Sequence, residues 1–134
     1  MNFADIKIGD TETVSKTFSK EDVIAFSELS EDYNPVHLDE EYAKKTIFKG
    51  KIVHGLLVAS LISSVLGTKL PGEGSIYLTQ DLKFLKPVRV GDKCTAKVVV
   101  LSKREDKQII ILETTVTIND STEVISGQAV MKKL

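Results

Sequence analysis

From Pro71 onward the chain alternates apolar and polar positions almost to its end. Ile76, Leu78, Gln80, Leu82 and Phe84 recur with period two, Pro87 breaks the run, and Val90-Gly91-Asp92 reads as a turn. Cys94, Ala96, Val98 and Val100 alternate next, and Glu105-Asp106-Lys107 supplies a second turn. Gln108 to Ile118 is a long β-branched run, Asn119-Asp120 turns again, and Glu123 to Met131 makes a last strand. A further strand is expected over Thr13 to Phe18, after the turn at Ile8-Gly9-Asp10.

The helical signals lie between these strands. Ser19-Lys20-Glu21-Asp22 is a loose capping box, with Asp22 where Glu is preferred. Val23, Phe26 and Leu29, with Ala25 beside them, then recur at helical spacing to about Ser30. Pro35 disfavours a helical Asn34, so Asp32-Tyr33-Asn34-Pro35 leaves the helix, and Asp39 caps a short helix through Glu40-Glu41-Tyr42-Ala43. Gly55 to Leu66 is apolar nearly all round and ends at Gly67. As a helix it spans roughly 18 Å, short of the ~20 residues a membrane span needs, so it is expected to be buried inside the protein. A buried helix ahead of four long antiparallel strands, with one earlier strand, predicts an α+β fold in which a curved sheet wraps the helix.

Composition narrows the function. With 134 residues the chain makes one domain, for which the size scaling gives roughly 7,000 Å² of folded surface. Lys plus Arg number 18 and Asp plus Glu 19, so charge gives no case for nucleic acid or an anionic membrane as partner. The lone Cys94 cannot form an internal disulfide, and with two histidines it makes no zinc site, so no metal is expected. Cys94 alternates with core positions and reads as packing. The opening Met-Asn-Phe-Ala-Asp lacks a basic segment followed by an apolar run, so a cytoplasmic location is expected.

Both histidines, His37 and His54, precede the apolar helix. Asp32 and His37 are five positions apart, about 16 Å if extended, but the Asn34-Pro35 turn can bring them face to face. A carboxylate beside an imidazole is what general acid–base work on a small molecule requires. Asp32 and Asn34 as turn formers, with His37 on the surface, is the plainer alternative. Gly55, at the entry to the helix, lets a ligand approach free amides that favour negative charge, or serves only a tight turn. No Gly-x-Ser-x-Gly elbow or Gly-x-x-x-x-Gly-Lys phosphate loop occurs.

Taken together, Ser30-Glu31-Asp32-Tyr33-Asn34-Pro35-Val36-His37-Leu38-Asp39 followed by Ile52-Val53-His54-Gly55-Leu56 resembles the MaoC-like hot-dog family and, within it, the (R)-specific enoyl-CoA hydratases. Leu70-Pro71-Gly72-Glu73-Gly74-Ser75, Phe84-Leu85-Lys86-Pro87 and Val90-Gly91-Asp92 continue the likeness in order. The resemblance implies one hot-dog hydratase domain over residues 1–134, adding water reversibly to a trans-2-enoyl-CoA to give the (R)-3-hydroxyacyl-CoA, with no cofactor. It assigns His37 the proton from water attacking C3 and Asp32 the proton for C2 on the same face. The Gly55 N–H receives the thioester oxygen, and Asn34, Ser63 and His54 support the site. The family pattern has Gly before the Asp where this chain has Glu31, which costs of order 1 kcal/mol if that position has a positive φ.

Three alternatives stand beside it: a 3-hydroxyacyl-acyl-carrier-protein dehydratase using the same residues, a hot-dog thioesterase, which needs a polar group aimed at the carbonyl instead, and a non-catalytic acyl-CoA-binding module, against which an intact Asp32–His37 pair argues. Lys44, Lys45, Lys49 and Lys51 form a basic cluster suited to CoA phosphates or to an acidic carrier protein. A homodimer with both sites near the interface is expected, since a lone five-stranded sheet leaves open edges and a helix apolar on every side.

Overall fold

A computed structural model describes residues 1–134. Its strands are β1 (Thr11–Thr17), β2 (Ser75–Gln80), β3 (Lys83–Phe84), β4 (Lys93–Arg104), β5 (Ile109–Ile118) and β6 (Thr122–Lys133). All pairings are antiparallel, in the order β1-β4-β5-β6-β2, with β3 also on β6. Period-two burial holds in two of the last three strands: Cys94, Ala96, Val98 and Val100 face the core from β4, as do Ile110, Leu112 and Val116 from β5, whereas β6 buries the adjacent Val124 and Ile125. Between β5 and β6, Asn119 and Asp120 take left-handed backbone (φ 53° and 58°), which these two residue types tolerate.

The sheet has six strands where the pattern predicts five. The Ile76–Phe84 run divides because the backbone at Asp81 presses against β6. A Cβ on Gly127 would lie 1.9 Å from the Asp81 carbonyl oxygen, so only glycine permits the approach. The Asp81 amide donates to Gln128 O at 3.0 Å, and the Asp81 carboxylate accepts from the Gln128 amide at 3.3 Å. The alternation misleads on burial here: β2 is an edge strand, and Ile76, Leu78 and Phe84 are exposed.

Four helices complete the chain: α1 (Lys20–Ser30), α2 (Pro35–Leu38), α3 (Glu40–Lys44) and α4 (Gly55–Thr68). The Ser19 capping box forms in full, with Ser19 and Asp22 each accepting from the other's amide. Val23 faces inward as expected, but Leu29 is 87% exposed and Ser27 is buried in its place. Asp39 caps α3. The turn Asn34-Pro35 starts the short helix α2, with Asn34 extended (φ −52°, ψ 122°) and Pro35 at the first helical position.

The apolar helix α4 packs its Val58, Leu61, Ile62, Val65 and Leu66 against the sheet. Two expectations about it are corrected. It runs through Thr68, past Gly67, and ends where the amides of Lys69, Leu70 and Gly72 bond back to the carbonyls of Val65 and Leu66. Nor is it buried all round: Leu56, Ser60, Ser63, Ser64 and Gly67 form an exposed stripe. The sheet can cover only one side of a helix, and the serines mark the other. No helix is long and apolar enough to cross a membrane.

Candidate active site

The segment between α1 and α4 carries its functional side chains on a chain of local hydrogen bonds. Helix α1 stops because Glu31 is left-handed (φ 62°, ψ 19°), the conformation the sequence comparison with a glycine position anticipates. The Ser30 hydroxyl donates to Phe26 O at 2.6 Å and accepts the Asp32 amide at 3.2 Å. Asp32 Oδ1 then accepts the Asn34 amide, and Asn34 Oδ1 the Val36 amide, each at 3.2 Å. Two successive side-chain turns thus carry the chain from Asp32 to His37 within a few ångströms of its start. Relieving the strained position is expected to help: Glu31→Gly should raise unfolding stability by about 0.5–1 kcal/mol, read from its denaturation midpoint, because Gly adopts positive φ without a Cβ clash.

The His37 ring is held by its Nδ1, 2.9 Å from the Ile52 carbonyl oxygen. A carbonyl only accepts, so Nδ1 carries the hydrogen and the lone pair of the neutral ring sits on Nε2. His54, the residue before α4, is 2% exposed and stacks on His37 with ring centroids 3.8 Å apart and an interplanar angle of 27°. Its Nε2 lies 3.2 Å from the Asp32 carbonyl oxygen and 3.0 Å from Ser27 Oγ, so Nε2–H is the donor, and its buried Nδ1 has no partner. Burial, chiefly, and the neighbouring His37 hold the His54 pKa below the usual histidine value, so this ring is neutral at physiological pH.

One carboxylate oxygen of Asp32 and one ring nitrogen from each histidine lie within 4.8 Å of one another. No direct hydrogen bond or ion pair joins Asp32 to His37. That spacing suits a water between them, since two hydrogen bonds of ordinary length to one oxygen put their outer atoms about 4.6 Å apart.

The first hydrogen bond of α4 is donated by Val58 to the His54 carbonyl, so the amides of Gly55, Leu56 and Leu57 have no partner within the helix. Gly55 does not have a positive φ; a turn does not require it. Space does: a Cβ would sit 2.7 Å from the Phe84 ring. Asp32, His37, His54, Gly55 and Phe84 share the wall of a mainly apolar cavity of about 430 Å³. A second hollow of about 620 Å³ shares His37, Phe48 and Ile52 with it and carries Lys20, Lys49, Lys51 and Arg89.

The fold therefore gathers Asp32, His37, His54 and Gly55, with Asn34 bracing the loop between the first two. Ser63 it leaves on the exposed stripe of α4, outside the cavity wall. Of the four lysines in the basic cluster, Lys49 and Lys51 line the second hollow, whereas Lys44 pairs with Glu41 at 3.5 Å. Cys94 is fully buried, and burial together with Asp92 pushes its thiol up to about 11, which leaves it a packing group. Ser27, Phe84 and Arg89 escape a reading of the sequence. Ser27 alone had a signal, a polar side chain four residues from Val23 on a face that should be apolar.

The profile of the MaoC like domain matches residues 6–122. The (R)-specific enoyl-CoA hydratase of Aeromonas caviae is 47% identical over 132 residues, covering 98% of each chain. The solved structure of the (R)-hydratase from A. caviae superposes with a TM-score of 0.93, covering 97% of this chain and 98% of that one. A mitochondrial 3-hydroxyacyl-acyl-carrier-protein dehydratase of Arabidopsis thaliana is 37% identical over 108 residues, 81% of this chain and 64% of that protein.

Proposed function

As a member of the MaoC-like domain family, with the hot-dog fold, the chain is, we propose, an (R)-specific enoyl-CoA hydratase. The observation that carries this reading is the Asp32–His37 pair set against the unpartnered amides of α4 in one apolar cavity. The thioester carbonyl accepts from the Gly55 N–H, where the helix dipole favours the negative charge that grows on oxygen as water adds at C3. His37 Nε2 takes a proton from that water, and Asp32 delivers one to C2 from the same face. The imidazolium proton then restores the Asp32 carboxyl, so one water is consumed per turnover. Both groups approach from one side of the cavity, which favours syn addition.

Thioester hydrolysis needs water aimed at the carbonyl carbon, whereas here the acid–base pair serves C2 and C3. Incubation with crotonyl-CoA separates the two: loss of the enoyl absorbance without release of thiol supports hydration, and thiol release at the same rate refutes it.

The basic hollow behind His37 favours CoA or a phosphopantetheine arm as the carrier. Replacing both Lys49 and Lys51 with Glu is expected to raise KM for crotonyl-CoA by roughly fivefold or more at low salt, with kcat little changed and the difference shrinking as salt screens it. We read the working molecule as a homodimer, supported by the open edge strands β1 and β2 and by exposed Ile76, Tyr77, Phe84 and Leu85. Sedimentation at micromolar protein should then give twice the 14.8 kDa chain mass; an active particle of one chain mass refutes the dimer.

A further inference from the structure

We propose that Ser27 and His54 act as positioning residues, a buried pair that sets Asp32, His37 and the entry of α4 at fixed distances from one another. Asp32 is exposed and lies outside any helix. Of its hydrogen bonds, those with Ser30 and Asn34 reach only two residues along the chain. The bond from His54 Nε2 to the Asp32 carbonyl is the one that ties this residue to a distant part of the fold. The same imidazole lies behind His37 as its stacking partner, and the same residue precedes Gly55. One side chain thus touches or adjoins all three parts of the proposed machinery.

Ser27 fixes that side chain. Its hydroxyl, 1% exposed, lies 3.0 Å from His54 Nε2 and shares the Nε2 hydrogen with the Asp32 carbonyl. The Phe26 ring meets His54 edge-on at 4.8 Å, closing off rotation. This accounts for the burial of Ser27 where the helix pattern calls for an apolar residue. It also accounts for a neutral His54: when His37 becomes an imidazolium during turnover, an uncharged aromatic face behind it is attractive, whereas a second cation would repel it. A displacement of about 1 Å in such a constellation costs up to 10²-fold in rate.

Three variants and one spectrum test this. His54→Phe keeps the ring and loses the donor, and should lower kcat for crotonyl-CoA by roughly 10²-fold with KM within about threefold of wild type. His54→Gln keeps an amide donor near the Nε2 position and should recover kcat to within about tenfold of wild type. Ser27→Ala should lower kcat about five- to tenfold at unchanged KM. Folded His54→Phe at wild-type kcat, or folded His54→Gln no better than His54→Phe, overturns the proposal. If His54→Phe does not fold, Ser27→Ala decides, and full kcat in that variant overturns it. The kinetic arm rests on the hydratase reading; the spectroscopic arm does not. Nitrogen-15 spectra should show His54 as the neutral Nε2–H tautomer, and the Nδ1–H tautomer contradicts the clamp whatever the enzyme does. Wild type inert toward crotonyl-CoA refutes the function instead and leaves the spectrum to judge the clamp.

Discussion

Replacing His37 with Ala, or Asp32 with Asn, is expected to lower kcat for crotonyl-CoA hydration by about 10²–10⁴-fold, the range for loss of a positioned acid or base. For His37 the basis is its tautomer. With Nδ1–H given to the Ile52 carbonyl, the Nε2 lone pair is the only basic position the ring can offer. For Asp32 the amide of Asn keeps the shape and the turn bond to Asn34, yet has no acidic proton to deliver to C2. Both side chains are outside the core, so thermal unfolding of either variant should stay close to wild type. Steady-state kinetics with a melting curve on the same preparations checks both halves, and a variant at full activity ends the dyad assignment.

The largest effect on stability should come from Gly127→Ala. The added methyl would sit 1.9 Å from the Asp81 carbonyl oxygen and 2.8 Å from its carbon. Neither is the end of a flexible side chain, so relief requires moving backbone. The connection between β2 and β3 would have to lift off β6, taking with it the Asp81–Gln128 bonds and the pairing of Phe84 with Ile125. A cost of about 3 kcal/mol is expected, at the upper end for overpacking because backbone pairing with β6 is lost as well. Because Phe84 covers Gly55 and both Phe84 and Ile125 line the cavity, folded Gly127→Ala should also bind crotonyl-CoA more weakly. Denaturant titration measures the first effect, and a wild-type midpoint would show that the Asp81 contact is not needed.

Much of this was legible in local signals. Ser19 with Asp22, Asp39 and Asn34-Pro35 act through bonds to residues at most a few positions away, and Asn119-Asp120 through their own tolerance of left-handed backbone, so the chain displays them openly. The Asp32–His37 approach belongs to the same class, since its two turns are built from neighbouring side chains. What remained hidden depends on distant partners. The division of the Ile76–Phe84 run needs Gly127, the burial of Ser27 needs His54, and the continuation of α4 past Gly67 rests on the chain folding back through Gly72. The exposed stripe on α4 was hidden for another reason. Three serines and a glycine scattered among leucines read as a uniformly apolar segment until the sheet shows which side it covers. Lys20 and Arg89 join the basic hollow from distant parts of the sequence, one well before and one well after Lys49 and Lys51, and no spacing rule connects them.

The central claim is that one acid–base pair adds both elements of water to the same face of an enoyl thioester. It is tested most directly by letting the protein hydrate crotonyl-CoA in deuterium oxide and determining the configuration at both carbons of the product. The account predicts (3R)-hydroxybutyryl-CoA carrying a single deuterium at C2, delivered to the face that received the hydroxyl. A 3S product, deuterium on the opposite face, or a mixture at C2 would contradict it.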